Sequence, residues 1–559
     1  MQITGAQALV QALVEEGVEV VFGYPGGAIM PIYDALHRAP AHFRHVLVRH
    51  EQGATHAAQG YARSSGRPGV CLATSGPGAT NFVTGLLDAL MDSTPIVCIT
   101  GQVARAKLGS DAFQEADVIG LTLAATKWSC QVTDPDQVAP TIARAFQVAM
   151  EGRPGPVLVD ITRDAQAGPA RAGIAAGTPW SYAARHRDLS GLARAAALLD
   201  GASRPMLMLG HGVTLARAET EAIALAERTG LPTAATLLGL SAFPVDHPLY
   251  VGMLGMHGNY APNMLTNEAD VILAVGMRFD DRVTGRVEDY ARAASVIHVD
   301  VDPAQVNRQV PAAVALIADA RDALAALLPL VRPRRHDAWL ARFREHHARE
   351  HAAVIGPQSA GDGETMRMGE VVDRLSALSA GEAILVTDVG QHQMIAARHY
   401  RFAQRASHIT SGGLGTMGFA LPAAIGAALG APARQVIAVA GDGGIQMTLQ
   451  ELGTLMQEQL PVKIVVLNNE YLGMVRQWQE LFFEGRLSEV RMDNPDFVTI
   501  ARGYRMQAQS VSAREDLDDA IARMLAHPGP YLLEVRVERT GNVFPMIPAG
   551  ASVDEMRLA

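Results

Sequence analysis

The 559-residue sequence is poor in several things. It has three cysteines, Cys71, Cys98 and Cys130, without CxxC or metal-ligand spacing. That argues against a disulfide framework or a thiolate metal site, and predicts buried free thiols in a reducing, cytoplasmic setting. Aromatic residues are 5% of the chain, against abundant Ala, Gly and Val, a composition suited to tightly packed α/β layers. Charged residues are only 19%, with acid in excess for a net charge of −10, which argues against nucleic acid as a main partner. No apolar run reaches the length of a membrane span. The N-terminal MQITGAQALVQALVEEG lacks a basic segment and a cleavage site, and reads as a first amphipathic helix.

What is present is repetition of strand-like and helix-like segments, over a length that needs about three domains. The expected fold class is α/β, with three doubly wound parallel-sheet domains at 1–170, 188–345 and 365–540 and a tail at 541–559. Strand-plus-turn units include VEVVFGYPGG, HVLVRHEQG, GVCLATSGPG, PIVCITG and PGPVLVDI in the first, then PMLMLGHG, ADVILAVGMRFDD and SVIHVDVDP. The third has AILVTDVG, RQVIAVAGDGG, PVKIVVLNN and PYLLEVRV. QAGPARAGIAAGTPWSYAARH (166–186) and GPQSAGDGET (356–365) read as linkers.

In AVAGDGGIQM (438–447) a buried strand ends in Gly-Asp-Gly-Gly. The following QMTLQELGTLMQEQ has helical spacing, with Met447, Leu449, Leu452, Leu455 and Met456 on one face, and PVKIVVLNN is a second strand. A strand–helix–strand unit makes parallel strands with a right-handed crossover. Asp442 and Asn469 then share the carboxyl edge of one sheet, where open α/β sheets bind ligands. Both are hard oxygen donors suited to Mg²⁺ beside phosphates. Gly441, Gly443 and Gly444 let backbone N–H groups approach an anion. A lone GDG is more often an ordinary strand-to-helix turn; the Asn pair at this distance changes the odds. TSGPGATNFVTGLLDAL (74–90) and TSGGLGTMGFALPAAIGAAL (410–429) look like an internal echo. In RHEQGA (49–54), Glu51 opens a helix at a sheet edge, a position where a carboxylate is usually mere helix-end charge.

Gly441-Asp442-Gly443 with Asn468-Asn469 resembles the thiamine diphosphate signature, and RHEQGA resembles the segment carrying that family's catalytic glutamate. FGYPGGAIMPIYDAL, SDAFQEAD, GRPGPVLVDI, LGMHG, RFDDRVTG, TDVGQHQM, TSGGLGTMGF, LGMVRQWQ and FPMIPAGAS narrow the resemblance to acetohydroxyacid (acetolactate) synthase large subunits, near the bacterial isoform II type.

The resemblance implies decarboxylation of pyruvate and ligation of its two-carbon unit to a second pyruvate or 2-oxobutanoate, in branched-chain amino-acid biosynthesis. Glu51 would hydrogen-bond N1′ of the aminopyrimidine. Asp442, Asn469 and the Tyr471 backbone oxygen would ligate Mg²⁺. Gln391, His392, Gly441, Gly443 and Gly444 would hold the diphosphate, Met417 would support the bent cofactor, and Met474 would join its contacts. Phe113, Gln114, Arg163 and Trp478 would line the reaction centre, Trp478 favouring 2-oxobutanoate. FAD, without a net redox role, would take Arg153, Gly210, Gly212, His257, Gly276, Arg278, Asp281, Arg282, Asp300 and Asp319. The residues themselves support a flavin modestly: LGHG is a glycine turn without GxGxxG, and Asp300 ends a strand where a ribose hydroxyl is bound in such folds.

Three departures stand out: Thr162-Arg163-Asp164 replaces the commoner Pro-Lys-Asp, Ala104 replaces a frequent proline, and HGNYAPN (257–263) replaces HGT or HGS. The resemblance further implies a homodimer or homotetramer and a small regulatory subunit. Competing readings are pyruvate oxidase, glyoxylate carboligase, or a non-catalytic nucleotide-binding protein on the same fold.

Overall fold

The computed structural model describes residues 3–39, 43–171 and 187–559. It contains three six-stranded sheets, each parallel throughout, with helices on both faces. In the first the order is Arg44–Leu47, Val20–Gly23, Gly69–Ala73, Ile96–Gln102, Val157–Thr162, Trp128–Val132. In the third it is His408–Thr410, Ile384–Thr387, Val436–Gly441, Lys463–Asn468, Tyr531–Arg536, Gln507–Val511. Ranked along the chain, both read second, first, third, fourth, sixth, fifth. The middle sheet differs: Tyr250–Met253, Thr233–Ala235, Pro205–Leu209, Val271–Val275, Ser295–Asp300, Val314–Ile317. That is the 3-2-1-4-5-6 order of dinucleotide-binding sheets.

The shared order corrects the internal echo. TSGPG follows the third strand of its sheet, whereas TSGG follows the second strand of its own. The topological counterpart of TSGG is RHEQGA, and that of Gly-Asp-Gly-Gly is TSGPG. Ser-Gly turns recur before helices for local reasons, so likeness of composition put the wrong loops in register.

The counterpart helices Glu51–Ser65 and Ala420–Gly430 pack on each other and join the first and third sheets. A Cβ at Gly60 would lie 1.9 Å from the Ala423 carbonyl oxygen, and one at Gly426 1.7 Å from that of Ala57. Glycine at both points lets the backbones touch. One apolar core runs through this contact, from Val46 and Phe82 to Phe419 and Ile464.

Several expectations need correction. Helix Asp442–Met447 stops at Thr448, and a 3₁₀ turn, Leu449–Glu451, precedes helix Leu452–Glu458. The Thr448 hydroxyl donates to the Gly418 carbonyl (2.9 Å), which holds the chain out of helical register there. Leu452 and Leu455 are buried, but Met447 is 55% exposed. Cys71 and Cys98 are buried, whereas Cys130, on the edge strand Trp128–Val132, is only half-buried.

The first supposed linker begins inside the fold. Gln166 is buried in helix Arg163–Ala167, and Pro169–Ala170 pairs antiparallel with Ile3–Thr4. Its remainder, 172–186, lies outside the described residues. In the second, helix Asp337–Glu350 widens into a π turn, His351–Ile355, and continues as Gly356–Ser359. Pro357 comes just after the π turn, so its missing amide donor falls where the backbone bonding leaves α register. The N-terminal amphipathic helix is Gly5–Glu15. Among the described residues, no helix is long and apolar enough to cross a membrane.

Candidate active site

In the third sheet the strand order reverses between Ile384–Thr387 and Val436–Gly441, which pair from Ile384↔Val436 to Thr387↔Val439. Loops leaving their carboxyl ends diverge and open a crevice. Residues 388–392 leave the first strand and Gly441–Gly444 the second. Asn468 and Asn469 end the neighbouring strand, parallel to it.

Asp442 is 2% exposed, and burial pushes its carboxyl up to about 6, against the lowering effect of the Asn494 amide. Asn494 Nδ2 donates to Asp442 Oδ2 (2.7 Å) and to Asn468 Oδ1 (3.0 Å). The two asparagines therefore split their work: Asn468 is engaged by Asn494 and Glu534, while Asn469 lines the crevice beside Gln391.

The crevice walls are glycine where side chains would fill them. A Cβ at Gly441 would lie 2.9 Å from the His392 ring, one at Gly444 2.6 Å from Asp388 Oδ1, and one at Gly473 2.2 Å from Gln391 Oε1. His392 is buried with Nε2 unpartnered among the described residues, and burial lowers its pKa to about 4. A neutral imidazole with a spare nitrogen, glycine-lined amide turns and a buried carboxylate fit a metal-bound diphosphate. Among the described residues no three His, Cys, Asp or Glu side chains cluster as a metal site. A set of one carboxylate, one amide and one backbone carbonyl, which Asp442, Asn469 and Tyr471 would supply, would leave room for phosphate oxygens, as Mg²⁺ prefers. Gln391 Nε2 donates to the carbonyl of Gly541, in the C-terminal tail (2.9 Å).

The crevice is one end of a cavity of about 730 Å³ that reaches the middle sheet. At the crevice end its lining includes Gln391, His392, Met417, Gly441, Asp442, Gly443, Gly444, Asn469 and Tyr471. Met474 and Trp478, one turn apart on helix Gly473–Phe482, line the same wall. At the far end it is lined by Arg153, Gly212, His257, Gly276, Arg278, Asp281, Arg282, Asp300 and Asp319. This end is the switch point of the middle sheet, between Pro205–Leu209 and Val271–Val275. Gly276 has φ +61°, and its Cβ would lie 2.5 Å from the Gly212 Cα. Gly210 is not on the lining; it packs against the Gly276 carbonyl. Asp300 is buried at its strand end, its carboxyl raised to about 6 by burial, and His257 Nδ1 is unpartnered among the described residues. Paired arginines, a buried strand-end carboxyl and a glycine switch point fit a dinucleotide such as FAD.

Glu51, Phe113, Gln114 and Arg163 are absent from that lining. Glu51 and Gln114 meet at the loop Ser75–Gly78. Asn81 Nδ2 donates to Glu51 Oε2 (2.8 Å), and a Cβ at Gly78 would lie 3.3 Å from Glu51 Oε1. One at Gly76 would lie 2.9 Å from the Gln114 carbonyl oxygen. Phe113 is 87% exposed, and Arg163 is exposed at the start of its helix.

Sequence reasoning missed three aspartates at the cavity, Asp92 on its lining and Asp88 and Asp388 behind it. Asp92 accepts the amides of Gly412 (2.9 Å) and Gly413 (2.6 Å). Asp88 accepts Thr416 Oγ1 (2.8 Å), and Asp388 accepts the amides of Gly418 (2.9 Å) and Ala420 (3.1 Å). Together they fix the loop that carries Met417. Asn494 was missed as well. Its partner Asp442 is 52 residues away, so no local pattern marks it.

Residues 3–121 match the thiamine pyrophosphate enzyme N-terminal TPP binding domain, 192–327 the central domain and 388–535 the C-terminal TPP binding domain. The chain is 46% identical over 564 residues to the acetolactate synthase isozyme 2 large subunit of Escherichia coli strain K12, covering 99% of each. It is 45% identical to the acetolactate synthase large subunit of Parasynechococcus marenigrum, over 99% of this chain and 91% of that one. With that of Corynebacterium glutamicum it shares 42%, over 100% and 90%. Three matched domains in order and likeness from end to end place the chain in the thiamine pyrophosphate enzyme family, among the acetolactate synthase large subunits.

Proposed function

We propose that the chain decarboxylates pyruvate and joins the two-carbon unit to a second 2-oxo acid. The products are 2-acetolactate from pyruvate and 2-aceto-2-hydroxybutanoate from 2-oxobutanoate, which serve branched-chain amino-acid synthesis. The observation that carries this reading is the single cavity running from the Asp442–Asn469 crevice past Trp478 to the middle-sheet switch point. Thiamine diphosphate, when bound, supplies the nucleophilic carbon that attacks a keto group; the protein supplies orientation and proton handling.

Asp442, Asn469 and the Tyr471 carbonyl would hold Mg²⁺, with Gln391, His392 and the glycine amides on the diphosphate. Met417, Met474 and Trp478 would shape the apolar wall, Trp478 beside the second substrate. Glu51 would share a proton with N1′ of the aminopyrimidine, and Phe113, Gln114 and Arg163 would face the substrates. Residues 1–170 would hold the pyrimidine half, 188–345 FAD, and 365–540 the diphosphate and metal. The tail 541–559 would border the site, as the Gly541–Gln391 contact supports.

Glu51 does not line the cavity that Asp442 lines. A homodimer or homotetramer in which one chain supplies Glu51 and another Asp442 would complete the centre. Phe113, Met30 (53% exposed) and Leu123 (71%) on the first domain, with Phe483 (54%) on the third, supply apolar surface for such a contact. The large-subunit names of the relatives support a small regulatory partner.

The deciding experiment supplies pyruvate and 2-oxobutanoate together with thiamine diphosphate, Mg²⁺ and FAD, but no electron acceptor. Predominance of 2-aceto-2-hydroxybutanoate supports the synthase and the Trp478 role. Acetolactate alone keeps the ligase and removes that specificity. Carbon release that requires an added acceptor overturns the reading in favour of an oxidase.

A further inference from the structure

Glu451 lies outside the cavity and has none of the roles assigned above, yet it is 0% exposed. It closes the 3₁₀ turn Leu449–Glu451 in the third domain and reaches into the first. Its Oε1 accepts the backbone amides of Arg49 (2.9 Å) and His50 (3.1 Å), and its Oε2 accepts Thr454 Oγ1 (2.7 Å). Burial raises its pKa, and the bonds from Thr454, Arg49 and His50 oppose that rise.

The two amides belong to the residues just before Glu51. His50 caps helix Glu51–Ser65, its Nδ1 accepting the Gln52 amide (3.1 Å), so the strand-to-helix turn sets where Glu51 starts. These half-buried turn amides need an acceptor, and their own sheet supplies none. Further bonds clip the same turn to the third domain: Arg49 Nη2 donates to the Gly453 carbonyl (3.2 Å) and to Gln457 Oε1 (2.8 Å). The fit leaves no slack, since a Cβ at Gly53 would lie 2.5 Å from Glu451 Oε1.

We propose that Glu451 is a positioning residue for Glu51, fixing the turn that aims the Glu51 carboxylate at the cofactor ring. The inference rests on the relay role proposed above for Glu51. Glu451 touches neither substrate nor cofactor; it acts through the Arg49 and His50 amides.

The test compares wild type, E451A, E451Q and E51Q, each with thiamine diphosphate and Mg²⁺. Four quantities are read: deuterium exchange of the thiazolium C2 proton, thiamine diphosphate affinity, kcat and KM for pyruvate, and amide exchange of residues 49–52 in cofactor-free protein. E451A is expected to expose the 49–52 amides and slow both C2 exchange and kcat by about tenfold or more, with KM and cofactor affinity changed by no more than about twofold. E451Q keeps an oxygen that accepts both amides and is expected to recover most of the rate. Should E451A fail to fold, E451D takes its place, its carboxylate one methylene short of the amides, with the same expectation.

Wild-type C2 exchange in the E451A or E451D enzyme overturns the proposal, as does E451Q being as slow as E451A. If E51Q itself exchanges at the wild-type rate, the relay reading falls and takes this inference with it. The E51Q arm thus separates the two failures.

Discussion

The Asp442 carboxylate is held by an amide that no motif contains. Asn494 fixes Asp442 Oδ2 and Asn468 Oδ1 at once, so removing it frees the carboxylate proposed above for Mg²⁺ to rotate and loosens the Asn pair. N494A is expected to weaken Mg²⁺ binding in the presence of thiamine diphosphate by about 10–100-fold, read by titrating activity with Mg²⁺. Asp388 makes a pH prediction. It is buried, and despite three backbone amide donors its carboxyl is raised to about 6. The folded protein therefore holds this proton where the unfolded chain has released it. The resulting stability is full below the ordinary carboxylate range and is lost as pH rises through about 6. D388N cannot titrate, so its deficit against wild type should narrow with rising pH, by up to about 3 kcal/mol. Thermal midpoints at about pH 4.5 and about pH 7 read the change; a deficit that is constant with pH overturns it.

At the scale of elements, what could be read from sequence depended on how local the cause was. Long apolar strands such as Val436–Gly441, Lys463–Asn468 and Val271–Val275 announce themselves by composition. Thr233–Ala235 and His408–Thr410, three residues each, do not; pairing with neighbours makes them strands. Likewise the helix after Asp442 has apolar spacing through Met447, but a distant carbonyl, that of Gly418, breaks it. The site divides the same way. Asp442 and Asn469 were legible because strand–helix–strand spacing alone brings them to one edge. Asp88, Asp92 and Asp388 hold the Met417 loop across spans of up to 328 residues, and such pairings leave no periodic trace. The crossing of Glu51–Ser65 with Ala420–Gly430 also depends on both partners. In a G60A variant the new methyl meets the backbone of Ala423, which cannot rotate away as a side chain could. The expected cost is about 1–3 kcal/mol, seen as a lower thermal midpoint. Because Glu51 opens the same helix, the activity remaining per folded molecule should fall too.

At the scale of the whole molecule, the cavity that Asp442 lines does not include Glu51, the other residue to which the proposed reaction assigns a role. Glu51 sits at the loop Ser75–Gly78, while Asp442 lines the cavity of the third sheet. If the centre is completed between two chains, lesions in the two halves must complement each other. An E51Q chain keeps a sound Asp442, and a D442N chain keeps a sound Glu51. Each variant alone forms only defective centres. Mixed by co-expression in equal amounts, half the dimers pair one of each, and in each such dimer one centre is intact and the other doubly defective. Activity should therefore return to about a quarter of wild type, from two preparations that are each nearly inactive. Separately purified and briefly mixed homodimers should stay inactive until subunits exchange, and dilution should reduce wild-type specific activity as dimers dissociate. Failure of co-expression to restore activity, with hetero-dimers verified by two affinity tags, would mean that one chain completes the centre by itself. The exposed Phe113 and Met30 would then need a different partner to cover them.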